Sequence, residues 1–128
     1  MLSYRKAHVL PRIQKVAKVV QDLVLKFPDY EKFALASQMR RSSSSILFNF
    51  AEGFGRGTRA EIKNFLIIAR GSAYELDSQL VYCDLVGYTE STEDLQKDLD
   101  RIVYELNLIL AKYGFTGLDD ADTNRGKE

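Results

Sequence analysis

The sequence predicts an all-α chain, folded as an antiparallel up-down-up-down four-helix bundle. Three observations point there. Apolar residues recur every three to four positions through four stretches, proline or glycine punctuates the corners between them, and no stretch alternates with the period of two that a strand requires. The 128 residues make one domain large enough to bury a core without disulfides. The expected bundle spans residues 1–115, with helices at about 10–26, 29–53, 59–86 and 92–113.

Helix one starts near Leu10 with Pro11 in its first turn, and Ile13, Val16, Ala17, Val20, Leu23, Val24 and Phe27 trace its stripe, with Lys15, Lys18 and Asp22 on the other side. The Phe27-Pro28-Asp29 corner is so short that helices one and two must be antiparallel neighbours. Proline opens helix two because its fixed φ suits a first turn and its missing N–H would be orphaned there anyway. Asp29 and Glu31 complement the positive helix end. Leu35, Met39, Ser42, Ile46 and Phe50 form one face, and Gly53, Gly55 and Gly57 close the helix. Ser42 to Ser45 are weak helix formers, so tertiary packing has to hold them; a buried hydroxyl can bond back to the carbonyl four residues earlier.

Thr58 and Glu61 make an S/T-x-x-E capping box at the start of helix three, each side chain meeting the other's backbone N–H. Ile62, Phe65, Ala69, Leu76, Leu80 and Cys83 mark its core face, and Gly87 caps its end. A second row, Ile67, Tyr74 and Val81, recurs every seven residues, joined by Ile68 and Tyr82. One partner face cannot cover both, so either helix three is central to its own bundle or another subunit covers part of it, and the second is the expectation. Ser91 and Asp94 suggest a weaker box before helix four, whose seam is Leu95, Leu99, Ile102, Leu106, Ile109 and Tyr113, stopped by Gly114. Residues 116–128 are acidic and poor in apolar side chains, and are expected to be a flexible tail.

Little in the composition points to chemistry. The single Cys83 and the single His8 make no zinc set, and no Glu-x-x-His pair exists for a carboxylate-bridged metal. The expectation is no metal and no cofactor. The serine run has no base nearby, so a serine nucleophile is not expected. Gly53-Phe54-Gly55-Arg56-Gly57 lacks the spacing and the following Gly-Lys-Ser/Thr of a phosphate loop. Arg5 and His8 have the wrong spacing for the arginine–histidine pair of RNA-cutting helical bundles. One cysteine, no leader and no apolar run of about 18 residues predict a cytoplasmic chain with no membrane span.

Charge is balanced overall, eighteen basic against eighteen acidic residues, but unevenly spread. Residues 1–26 carry six basic residues against Asp22 alone; residues 88–128 carry ten acidic against five basic. That polarity fits either a phosphate backbone or a pairing between helices. The candidate nucleic-acid contacts are Arg12, Lys15 and Lys18 on helix one and Arg40, Arg41, Arg56 and Arg59 around helix two. Arg40 and Arg41 lie about 100° apart around a helix and cannot face one way. Gln38, Asn49 and Glu52, together with Ile67, Tyr74 and Val81, are the candidate junction or interface residues.

Phe27-Pro28, Glu31, Leu35, Gln38, Arg40-Arg41, Ser45-Ile46, Asn49, Ala51-Glu52-Gly53 and Gly55-Arg56, followed by Phe65-Leu66, Ala69, Gly71-Ser72, Glu75-Leu76 and Gln79-Leu80, carry a resemblance. Over roughly residues 5 to 113 the chain resembles the small four-helix proteins encoded in intervening sequences of bacterial large-subunit ribosomal RNA genes. The accessory variability determinant of diversity-generating retroelements is similar to them. The resemblance implies a bundle that assembles into a ring-like homopentamer and, for the retroelement member, binding to RNA or DNA and to a reverse transcriptase. Ser42 and Leu47 stand where the family commonly has alanine and proline, and helix one lacks an aromatic often found there; without the proline, helix two is expected to run straighter. The functional expectation is a non-enzymatic homo-oligomeric scaffold or adaptor. The alternative is an RNA- or DNA-binding module.

Overall fold

In the computed structural model, which describes residues 4–115, four helices occupy the expected order: α1 Leu10–Val24, α2 Leu35–Arg56, α3 Arg59–Val86 and α4 Glu93–Lys112. Short 3-10 turns, Tyr4–Lys6 and Asp29–Glu31, precede α1 and α2. Residues 116–128, the expected acidic tail, lie outside the described residues.

Each helix packs on its neighbours in sequence, and α1 closes the ring against α4. Contacts across the seams show the antiparallel order. Ser45 meets Ser72 and Met39 meets Cys83 between α2 and α3, while His8 meets Glu105 and Arg12 meets Asp98 on the α1–α4 side. The core is the sum of the four stripes. Ile13, Val16 and Val20, Met39, Ile46 and Phe50, Leu66, Ala69, Leu76 and Leu80, and Leu99, Ile102, Leu106 and Leu110 join in one buried cluster. On α4 the buried row passes from Leu106 to Leu110, leaving the expected Ile109 only half-buried. At 3.6 residues per turn a row of alternating threes and fours drifts around a straight helix, and the last core position moves by one.

Three helix ends differ from expectation. Helix two does not begin at Pro28–Asp29: Pro28 is extended (φ −56, ψ 147), a 3-10 turn follows, and regular helix starts at Leu35. The corner is held from outside. Phe27 packs on the Tyr88 ring at 5.4 Å, and the Tyr88 hydroxyl donates to Glu31 at 2.7 Å, so the acidic side chain expected to cap the first turn is drawn to the α3–α4 corner. At the other end, Gly53 and Gly55 are helical, and only Gly57 takes a left-handed conformation (φ 88). Gly53 is a packing glycine: a Cβ there would stand 3.0 Å from the Cβ of Phe65, so its bareness brings α2 against α3. Thr92 rather than Ser91 precedes α4, and its hydroxyl turns back to Leu80 and Asp84; Ser91 Oγ accepts from the Glu93 N–H. The Thr58–Glu61 box forms with one change. Thr58 Oγ accepts from the Glu61 N–H at 3.2 Å, but the Glu61 carboxylate takes the Thr58 hydroxyl at 2.9 Å rather than a backbone N–H.

Candidate functional site

Ser45 lies on the α2–α3 seam, where small side chains let the helices approach, while Ser42 and Ser43 are buried and Ser44 is partly exposed. Ser42 Oγ donates to the carbonyl of Gln38 at 3.0 Å, Ser43 to Arg40 at 3.1 Å and Ser44 to Arg40 at 2.9 Å. Ser45 and Ser72 share a 2.8 Å bond across the seam, and Asn49 Nδ2 donates to the Ser45 carbonyl and hydroxyl at 2.9 and 2.8 Å. These groups satisfy one another. The ring of His8 lies on the α1–α4 side, 2.6 Å from Glu105, so no imidazole serves the serines as a base.

Outside this seam runs an open groove of about 740 Å³. Gln38, Arg41, Phe48 and Glu75 rim it, and Ser45, Asn49 and Ser72 form its floor. Phe48 is 65% exposed, unusual for a residue of that size. Two of the expected junction residues, Gln38 and Asn49, lie here; the third, Glu52, pairs with Arg56 at 3.0 Å on the open surface one turn before α2 ends. Arg56 also covers the Phe65 ring at 5.3 Å. The expected interface row on α3 points outward, with Ile67 half-buried and Tyr74 and Val81 exposed. Ile68, Tyr82, Leu85 and Val86 widen it into an apolar face on the same helix.

The seven cationic candidates do not come together. Arg12 and Lys15 both reach one buried carboxylate, Asp98 of α4, at 2.8 Å each. Lys18 pairs with Asp22 at 3.1 Å. Arg40 lies beside a small hollow under Phe27 and Pro28, its Nε buried and without a hydrogen bond, while Arg41 reaches only Ser37 at 3.5 Å. Arg59 donates to the Lys112 carbonyl at 2.9 Å and covers the Tyr113 ring, tying the start of α3 to the end of α4. The basic stripe legible on helix one is thus largely a clamp on α4.

Sequence reasoning missed the polar hub of the α3–α4 corner. Asp84 accepts bonds from Thr89 Oγ, from the N–H and hydroxyl of Thr92, and from Gln96. Desolvation pushes its carboxyl up, but the bonds from Thr89 and Thr92 outweigh this and hold it below the usual carboxylate range. Burial, reinforced by Asp84 and Glu31, pushes the neighbouring Cys83 thiol up to about 11. Tyr88 is raised too, first by its bond with Tyr30 and then by Glu31. A short polar side chain on a helix followed by two threonines carries no signal of such a hub in sequence. Among the described residues no cluster of histidine, cysteine and carboxylates could hold a metal, and no helix is long and apolar enough to cross a membrane.

Compared with known proteins, residues 5–108 match the model of a family described as 23S rRNA-intervening sequence protein. No curated protein matches the chain.

Proposed function

The chain belongs to the 23S rRNA-intervening sequence protein family, and from that premise we propose that it works as a non-enzymatic homo-oligomeric scaffold or adaptor, a ring of five copies that presents helical surface to a partner. The observation that carries this reading is the outward face of α3, where Ile68, Tyr74, Val81, Tyr82, Leu85 and Val86 keep 37–80% of their surface exposed. An apolar face of that extent is unfavourable in water and is relieved by a protein contact. Light scattering on the purified chain is expected to give five times the 14.6 kDa of one copy. A stable monomer at micromolar concentration would overturn the proposal. The partner that the family resemblance implies is a reverse transcriptase with its RNA or DNA, and co-elution of such an enzyme with the assembled ring is the corresponding test.

The RNA- or DNA-binding alternative draws less support. Arg12 and Lys15 share the one carboxylate of Asp98, Lys18 pairs with Asp22 and Arg56 with Glu52, and the exposed Arg41 and Arg59 lie on different parts of the surface. A phosphate-reading protein would bind structured RNA at low salt and lose affinity steeply as salt rises.

A further inference from the structure

The row Ile67, Tyr74 and Val81 repeats every seven residues on the outward side of α3. Such a row is a set of knobs for another helix: Ile67 reaches the edge of the core, while Tyr74 and Val81 keep 37% and 49% of their surface exposed. α2 carries a second heptad row on its side away from the core: Ser37, Ser44 and Ala51, all small and all partly exposed. The Ser44 hydroxyl at the middle of this row already donates to the Arg40 and Arg41 carbonyls, so covering it strands no donor there. Beside Ala51 the surface dips into a hollow of about 420 Å³ bounded by Phe48, Glu52, Gly55 and Arg56.

The two rows are in register. Ser45 is level with Ser72, and Gly53 with Phe65, across the antiparallel seam. Stepping along both helices from these points puts Ser37 at the height of Val81, Ser44 at that of Tyr74 and Ala51 at that of Ile67. A copy placed alongside by rotation about an axis parallel to the helices keeps those heights. Charge agrees: Arg41 stands within a residue or two of the height of Glu75, both are exposed, and neither is in an ion pair within the described residues.

We infer that α3 of one copy packs its Ile67–Tyr74–Val81 row onto the Ser37–Ser44–Ala51 row of α2 in the next, with Arg41 beside Glu75 of that neighbouring copy. The inference rests on the self-association proposed above and names the two surfaces that carry it. The giving and receiving faces differ, so the contact is head-to-tail, the kind from which a ring is built, instead of pairing two copies by a two-fold.

That asymmetry supplies the test. Tyr74→Glu spoils the giving face and Ser44→Arg blocks the receiving face, both at solvent-facing positions, and each variant is expected to keep the wild-type helical circular dichroism. Should either fail to fold, Val81→Lys and Ala51→Arg alter the same two faces. Each variant alone is expected to associate at least about 30-fold more weakly and run as a monomer at micromolar concentration. An equimolar mixture is expected to form one-to-one pairs, because one intact face of each kind survives between them. Ser44→Arg assembling like the wild type, or a mixture that stays monomeric, would show the contact to be wrong while self-association stands. A monomeric wild-type chain would remove both, leaving the α3 face to a different protein.

Discussion

Asp84 illustrates how much one side chain can organise. Its oxygens join the end of α3 to the start of α4 through Thr89, Thr92 and Gln96, and Thr92 in turn bonds the Leu80 carbonyl. Because its folded pKa is depressed, the stabilisation it contributes is present above the unfolded value of about 4 and is lost as pH falls through the folded value. Asp84→Asn is expected to cost about 1–3 kcal/mol at neutral pH, from the loss of charge-assisted bonds. Urea unfolding at pH 7 and again near pH 2.5 checks this, and the gap between variant and wild type should narrow in acid. Cys83, one residue earlier, is buried and pushed up to about 11, so it stays a thiol at neutral pH and behaves as a small apolar residue against Met39.

At the level of single elements, the ends were legible where a local rule operates and illegible where a neighbour overrides it. Thr58 and Glu61 lie three residues apart, and that spacing alone placed the start of α3 at Arg59. Thr58→Ala is expected to cost about 1 kcal/mol by removing the acceptor of the Glu61 N–H, read as a lowered midpoint in thermal or denaturant unfolding. Gly87 and Gly114 stop their helices with positive φ, as their positions suggested. Gly53 looked like another stop and is not one, because its value lies in the Phe65 contact from α3, which no local pattern encodes. The start of α2 failed for the same reason: the proline and acidic residues favour an immediate helix, but Tyr88 of the opposite corner claims Phe27 and Glu31.

Across the whole molecule, α1 and α4 are the helices that close the bundle, and polar contacts do much of the closing. Asp98, buried on α4, receives Arg12 and Lys15, and Glu105, also buried, receives His8. Removing Asp98 leaves two cations that are 41% and 58% exposed and can return to water, so the cost is smaller than for a fully buried pair. Asp98→Ala is expected to destabilise the fold by about 1–3 kcal/mol. In amide exchange α1 should lose protection before α2 and α3, whose shared seam holds the serine and Gly53 contacts.

The sequence by itself determined the four helices, their order, most of the face each turns to the core and the second apolar row on α3; on α3 the core takes Leu66 where Phe65 was expected. These follow from periodicity and end signals that a helix carries within its own residues, and burial of one stripe per helix then leaves an antiparallel bundle as the compact arrangement. Only the tertiary structure decided where the charges go. Arg12 and Lys15 read as a basic surface until α4 brings Asp98 beneath them, and nothing in the sequence singles out Asp84 until the α3–α4 corner folds two threonines onto it. A polar side chain finds its partner by the height and facing of a different helix, and those are set by packing across the whole core rather than by any stretch of the chain.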